Sequence, residues 1–232
     1  MNVVLTFSAS NQSLKLANYF ASILSWDSYD LTSFDNRAKF DYHKEYDYVM
    51  FTFPVYSQSI TPPVKEILKK LKGKYFVLLA TYGKMGTGNI LYEAQRIIQG
   101  KLIGAAYVPS KHTYIDNGEF REFQKLNKLI ENLNLSKEVK LPKRKKHIFA
   151  NLAPNLRARM NVKLKTNEKC IKCNHCNHIC PTKAIYKGRI NKDCLRCLKC
   201  FNECPVNGLD VKYSYFLKTY LKKDKETSLI IY

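Results

Sequence analysis

The chain has 232 residues, 39 of them Lys or Arg against 19 Asp or Glu, for a net charge of +20. With 45% hydrophobic and 25% charged residues, the composition excludes a disordered or collagen-like chain, and the length suits one large domain or two small ones. No window approaches 18 uninterrupted apolar residues, so no transmembrane segment is expected. The start, Met1 to Leu5, has neither the basic nor the long apolar region of a secretory signal, and the expected location is cytoplasmic.

In chain order, Val3–Phe7 reads as a short buried strand, followed by a helix face at Leu14, Ala17, Ala21 and Leu24. A weaker strand covers Ser28–Thr32, and Tyr48–Phe53 is a strong one. Thr61 is placed to cap a helix opened by Pro62 and Pro63, with Val64, Ile67, Leu68 and Leu71 as its apolar stripe and Gly73 as its stop. Tyr75–Tyr82 is the next strand. Ile90, Ala94, Ile97 and Ile98 mark a helix, Leu102–Val108 a strand, and Phe120, Phe123, Leu126, Ile130 and Leu133 a closing helix. Strands alternating with helices over 1–133 predict an α/β, doubly wound, five-stranded parallel sheet in the order 2-1-3-4-5. Ligands of such sheets sit beyond the carboxyl ends of the strands, near the switch point.

Three loops fall there. The first, Thr6 to Ser13, carries hydroxyls at Ser8, Ser10 and Ser13 beside Asn11, Gln12 and the free amides of a helix start, a combination suited to phosphate. The second holds Pro54, Val55, Tyr56 and Ser57, with a tyrosine able to cover a flat aromatic ligand. The third holds Thr81, Tyr82 and Gly83, then Gly86 and Gly88, where glycine permits close backbone approach.

Residues 134–164 form a basic linker of nine cations, Lys137, Lys140, Lys143, Arg144, Lys145, Lys146, Arg157, Arg159 and Lys163, against the single acid Glu138; Pro142 and Pro154 interrupt any long helix. A basic field of this kind favours an acidic partner, and no nucleic-acid-binding motif accompanies it. Residues 1–133, in contrast, hold 16 basic against 12 acidic residues.

All eight cysteines lie beyond it, in two runs. Cys170, Cys173, Cys176 and Cys180 precede Pro181; Cys194, Cys197, Cys200 and Cys204 precede Pro205, each at an offset of 24 from its counterpart. A disulfide framework would suit an oxidising compartment, and no signal leads there. Structural zinc takes two pairs separated by a longer spacer, whereas here three thiols fall within seven residues, twice. The third chemistry is a pair of [4Fe–4S] clusters, in which the last cysteine of each run ligates the other cluster. The expected metal sets are then Cys170, Cys173, Cys176 and Cys204 for one cluster, and Cys194, Cys197, Cys200 and Cys180 for the other. Residues 165–212 are too few to fold on apolar burial alone, so the clusters would serve as their core. The histidines among the ligands, His175 and His178, read as polar loop residues. Residues 213–232 read as a helical tail packed on the core or at a domain interface.

The 165–212 segment resembles bacterial two-cluster ferredoxins. The succession Ser-Ala-Ser-Asn-Gln-Ser from Ser8, Pro-Val-Tyr-Ser from Pro54, Thr-Pro-Pro-Val from Thr61, Ala-Thr-Tyr-Gly from Ala80, then Gly104–Tyr114, is similar to flavodoxin domains fused to such ferredoxins. The resemblance implies flavin mononucleotide in the first domain, although Ala9 and Asn11 stand where that family's phosphate loop usually has glycine. It implies an electron-transfer protein that relays electrons between FMN and two [4Fe–4S] clusters and exchanges them with an acidic redox protein. The alternative is a flavin-dependent reductase of a small molecule, for which Lys84 or His112 would be the acid or base.

Overall fold

A computed structural model describes residues 1–144, 154–222 and 228–232. Its centre is a sheet of β1 (Asn2–Thr6), β2 (Asp27–Asp30), β3 (Glu45–Pro54), β4 (Lys72–Tyr82) and β5 (Gln99–Pro109). These five strands are parallel and lie in the spatial order β2-β1-β3-β4-β5. This is the order expected from the sequence, and it follows from alternation. Val3 and Leu5 enter one apolar layer while Val4 enters the other, so both faces of the sheet must be covered. Helices α1 (Gln12–Leu24) and, farther along the chain, α5 (Lys128–Leu135) cover one face through Leu16, Phe20, Leu129 and Leu133. The other face is covered by α3 (Pro62–Lys70) and α4 (Ile90–Gln95).

Three local readings need correcting. Gly73 does not stop α3: the helix ends at the extended Leu71, and Gly73 lies in β4, where a Cβ would meet Val49 Cγ2 at 2.8 Å. Ile97 and Ile98 lie beyond α4, and Phe123–Leu126 is a 3-10 turn preceding α5. A short helix, α2 (Phe34–Lys39), was missed; Ser33 caps it by accepting from the Asn36 amide.

Much of the linker span is structured. Leu141 is buried against the first apolar layer, its amide donating to Gln95 Oε1. Helix α6 (Pro154–Asn161) leads into β6 (Val162–Thr166), which is already a strand of the cysteine-rich domain. Lys145 and Lys146 lie outside the described residues. In the cysteine-rich part, α7 (His175–Ile179), β7 (Ile185–Tyr186), β8 (Arg189–Ile190), α8 (Lys199–Asn202) and β9 (Leu209–Tyr213) follow in order. β6 pairs antiparallel with β9, and β7 with β8. The tail is only partly helical: after α9 (Tyr215–Leu221), β10 (Ile230–Ile231) pairs antiparallel with β5 at the edge of the large sheet. Two consecutive isoleucines opposite Ala106 and Tyr107 supply that edge with β-branched partners.

Candidate functional site

The 24-residue repeat is a repeat of backbone conformation as well as of cysteines. Lys172 and Arg196 both adopt left-handed φ, as do Asn174 and Leu198, and Lys183 and Asn207. The turns match too. Asn167 O accepts from Cys170 N as Asn191 O accepts from Cys194 N, and each asparagine side chain accepts from the amide two residues on. The Ala184 amide donates to Cys180 Sγ at 3.3 Å, and its counterpart Gly208 donates to Cys204 Sγ at 3.1 Å. A glycine is needed at 208, since a Cβ there would lie 2.9 Å from Cys170 Cα.

These turns wrap two separate cavities. Cys170, Cys173, Cys176 and Cys204 line one, together with Ile185 and Leu209. Cys180, Cys194, Cys197 and Cys200 line the other, with Leu164, Leu195 and Leu198. The fourth cysteine of each run therefore lines the cavity of the other run's triplet. Among the described residues, no three His, Cys, Asp or Glu side chains converge closely enough to hold a single metal ion. Thiols ringing a cavity suit a polynuclear cluster rather than tetrahedral zinc, so the residues fit the [4Fe–4S] group. The two sets differ in exposure. Cys173 is exposed and Cys170, Cys176 and Cys204 are half-buried, whereas all four of the second set are buried. Burial pushes the Cys197 thiol up to about 12, so binding metal there must displace a firmly held proton.

The second feature is a cavity of about 350 Å³ at the carboxyl ends of the parallel strands. Ser10, Pro54, Val55, Tyr56, Ser57 and Thr81 line it, with Gly83 and Gly86 from the third loop. The hydroxyls of the first loop divide, contrary to the expectation that all three face one ligand. Ser8 Oγ accepts from the Leu14 amide, and the Ser13 hydroxyl is buried against Thr81 Oγ1 at 2.7 Å. Both brace the turn, and Ser10 is the one of the three that lines the cavity. Asn11 takes the left-handed conformation at the start of α1 and makes no side-chain cap bond itself, while Gln12 reaches toward Glu119. The start of a helix of this length is suited to an anion. Tyr82 is a correction: its side chain is buried and its hydroxyl donates to Ser228 O, away from the cavity.

The remaining wall was not foreseen. It comes from Lys111–Tyr114 after β5, from Arg157 and Asn161 on α6, and from Phe216 and Tyr220 on α9. Only the Gly104–Tyr114 resemblance pointed toward part of it; Arg157 was submerged among the linker cations. Lys84 and His112 are both engaged. Lys84 Nζ donates to the carbonyls of Asn117 and Gly118, and His112 Nδ1 accepts from the Tyr114 amide.

One side chain bridges the two sites. Tyr114 lines the large cavity, packs into the cysteine-rich core, and donates its hydroxyl to the carbonyl of Arg196, between Cys194 and Cys197. In exchange, Leu195 enters the core of the first domain. Tyr56, also on the cavity wall, has its phenol held well above the ordinary value by burial and then by nearby Cys197.

The fold and the cysteine framework define a flavodoxin-like domain fused to an iron–sulfur domain with two cluster sites. Residues 135–220 match the family described as the 4Fe-4S dicluster domain. Among solved structures, the chain is similar to a candidate flavoprotein from Bacteroides uniformis, with 14% identity and a TM-score of 0.36 over 56% of this chain and 97% of that one. It is also similar to the Trp repressor binding protein from Bacillus subtilis (13% identity, TM-score 0.33, 60% and 100% of the two chains). A third is an NAD(P)H:quinone oxidoreductase from Methanothermobacter marburgensis (10%, 0.30, 63% and 99%). Comparison with curated proteins gave no match. No helix among the described residues is long and apolar enough to cross a membrane.

Proposed function

We propose that the protein is an intracellular electron-transfer protein that relays electrons between FMN and two [4Fe–4S] clusters and exchanges them with an acidic redox protein. The observation that carries the reading is Tyr114, one side chain forming a wall of the large cavity while bonded to the loop between Cys194 and Cys197. FMN fits that cavity by the chemistry of its lining: the start of α1 beside Ser10 for the phosphate, and Pro54, Val55, Tyr56 and Gly83 for a flat ring. The cluster ligands are Cys170, Cys173, Cys176 and Cys204, and Cys194, Cys197, Cys200 and Cys180. Bound there, flavin supplies a centre that exchanges one or two electrons and the clusters supply one-electron centres.

The chain's own contribution is positional. Ser8 and Ser13 fix the first turn through Leu14 and Thr81, and the Ala184 and Gly208 amides donate to cysteine sulfurs. Joining the domains removes a diffusional encounter between the sites. Lys84 Nζ, offered as an acid by the reductase reading, is held instead by the carbonyls of Asn117 and Gly118, which favours a carrier over a small-molecule reductase.

The test is anaerobic purification with iron, sulfide and flavin quantification. The reading expects two [4Fe–4S] clusters and one FMN per chain. Tetrahedral zinc would overturn the cluster assignment, and a chain that takes up no FMN on titration would overturn the relay.

A further inference from the structure

The repeat is symmetric in backbone and asymmetric in surroundings. Ile171 is 66% exposed, whereas its counterpart Leu195 is 6% exposed and seated in the first domain. Lys172 is exposed, whereas Arg196 is half-buried and donates to Val162 O. Cys173 is exposed, whereas Cys197 is buried. The Cys194–Cys197 loop of the second repeat is thus covered by the flavodoxin-like domain and by β6. The first repeat presents the same loop, its thiol and an uncovered isoleucine to solvent.

The rim of this loop is basic. Lys169 and Lys172 flank Cys170, while Lys187 and Arg189 flank Gly188, which lines the same cysteine cavity; all four cations are exposed. The Lys187 amide donates to Asn174 Oδ1, which brings that turn beside Cys173 and Cys176. Among the described residues none of the four is ion-paired. Two carboxylates lie nearby, Glu168 and Asp210, the latter accepting from Asn167. The balance at the rim remains positive.

We propose that the Ile171–His175 loop, rimmed by Lys169, Lys172, Lys187 and Arg189, is the docking face for an acidic one-electron carrier protein of the ferredoxin class. The proposal rests on the electron-transfer reading above and adds to it the place of contact. Ile171 supplies an apolar centre and the cations an electrostatic rim, a combination that steers an acidic protein and releases it readily. The set that includes the exposed Cys173 stands at this face, whereas the Cys197 set is buried, so the carrier meets the chain where its metal-ligating sulfur is least covered.

The experiment uses the full-length, iron- and flavin-loaded protein and an acidic plant-type [2Fe–2S] ferredoxin as probe, with binding measured by calorimetry at low and high salt. The wild type is expected to bind at low salt and weaken at least ~10-fold at about 0.3 M salt, as screened steering requires. The triple variant K169E/K172E/K187E is expected to bind at least ~10-fold more weakly at unchanged iron and flavin content, equivalent to about 1.4 kcal/mol. The linker variant K140E/K143E should bind as the wild type does. The proposal is overturned if the wild type fails to bind at low salt, if the triple variant binds normally, or if the linker variant is equally impaired. It is also overturned if a mixed-sequence DNA duplex binds as tightly and is lost in the same variant, since that is attraction for any polyanion. A chain that lacked flavin yet lost ferredoxin binding in the triple variant would defeat the relay and leave the docking face standing.

Discussion

Arg37 of the flavodoxin-like domain donates through Nη2 to the carbonyl of Pro181, the residue that follows Cys180. Its other terminal nitrogen donates to the carbonyls of Leu31, Thr32 and Ser33, so one buried guanidinium gathers the turn after β2 and the turn after a cluster cysteine. Beside it, Lys183 pairs with Asp35, whose carboxyl is held below its ordinary value first by that hydrogen bond. Helix α2 is the element that presents both residues to the other domain.

Replacing Arg37 by Ala leaves these buried carbonyls without their charged donor. Since a hydrogen bond to a charged group contributes ~1.5–3 kcal/mol, a net loss on the order of 3 kcal/mol is expected. Urea unfolding of the loaded protein checks it, with R37K retaining part of the stability. A midpoint unchanged from the wild type would show that the contact carries no energy.

The crossed cysteine sets make a spectroscopic prediction. Cys180→Ser should remove the cluster held by Cys194, Cys197 and Cys200, although it lies in the first run, and Cys204→Ser should remove the other. Each variant should retain about half the iron, and electron paramagnetic resonance should show the loss of a different cluster in each. If C180S instead lost the signal of the exposed set, the crossing would be refuted.

Gly83 is held against His112: a Cβ at position 83 would lie 2.4 Å from His112 Cδ2. Gly83→Ala must therefore displace the His112 loop from the cavity wall, and FMN affinity, read by flavin fluorescence titration, should fall at least ~10-fold. G83A/H112A should recover part of that loss. Full affinity in G83A alone would place the flavin elsewhere.

The Tyr107 phenol is buried, and burial pushes it up to about 12. The unfolded chain releases this proton at ~10, while the folded protein keeps it until about 12. The contribution of Tyr107 to stability is therefore full below pH ~10 and declines between the two values, by up to ~1.4 kcal/mol per pH unit. Stability curves from pH ~8 to ~12 should fall less steeply in Y107F than in the wild type. Parallel slopes would contradict the assignment.

The parallel order and the dicluster character of the cysteine-rich segment were legible because both rest on local, strongly repeated signals: apolar runs of strand length, and thiols at fixed spacing. What escaped has a common physical cause. Helix α2 is six residues long with one buried side chain, Arg37, so no apolar period marks it. The strand role of Gly73 depends on Val49 of a neighbouring strand. Tyr82 alternates in β4 and turns toward Ser228, a partner 146 residues away. The far wall of the cavity is assembled from α6 and α9, whose sequences carry no trace of the ligand between them.

The pairing of β10 with β5 changes how the domains are connected. Because the chain leaves the large sheet after β5 and returns to its edge at Ile230, the dicluster domain is topologically an insertion, anchored at both ends. A module held by two tethers cannot swing out on a single hinge, so the contact through Tyr114 and Leu195 survives collisions that would part a singly linked pair. The same topology makes the cluster-bearing module exchangeable: another of similar end-to-end span could be grafted between the two strands without opening the sheet.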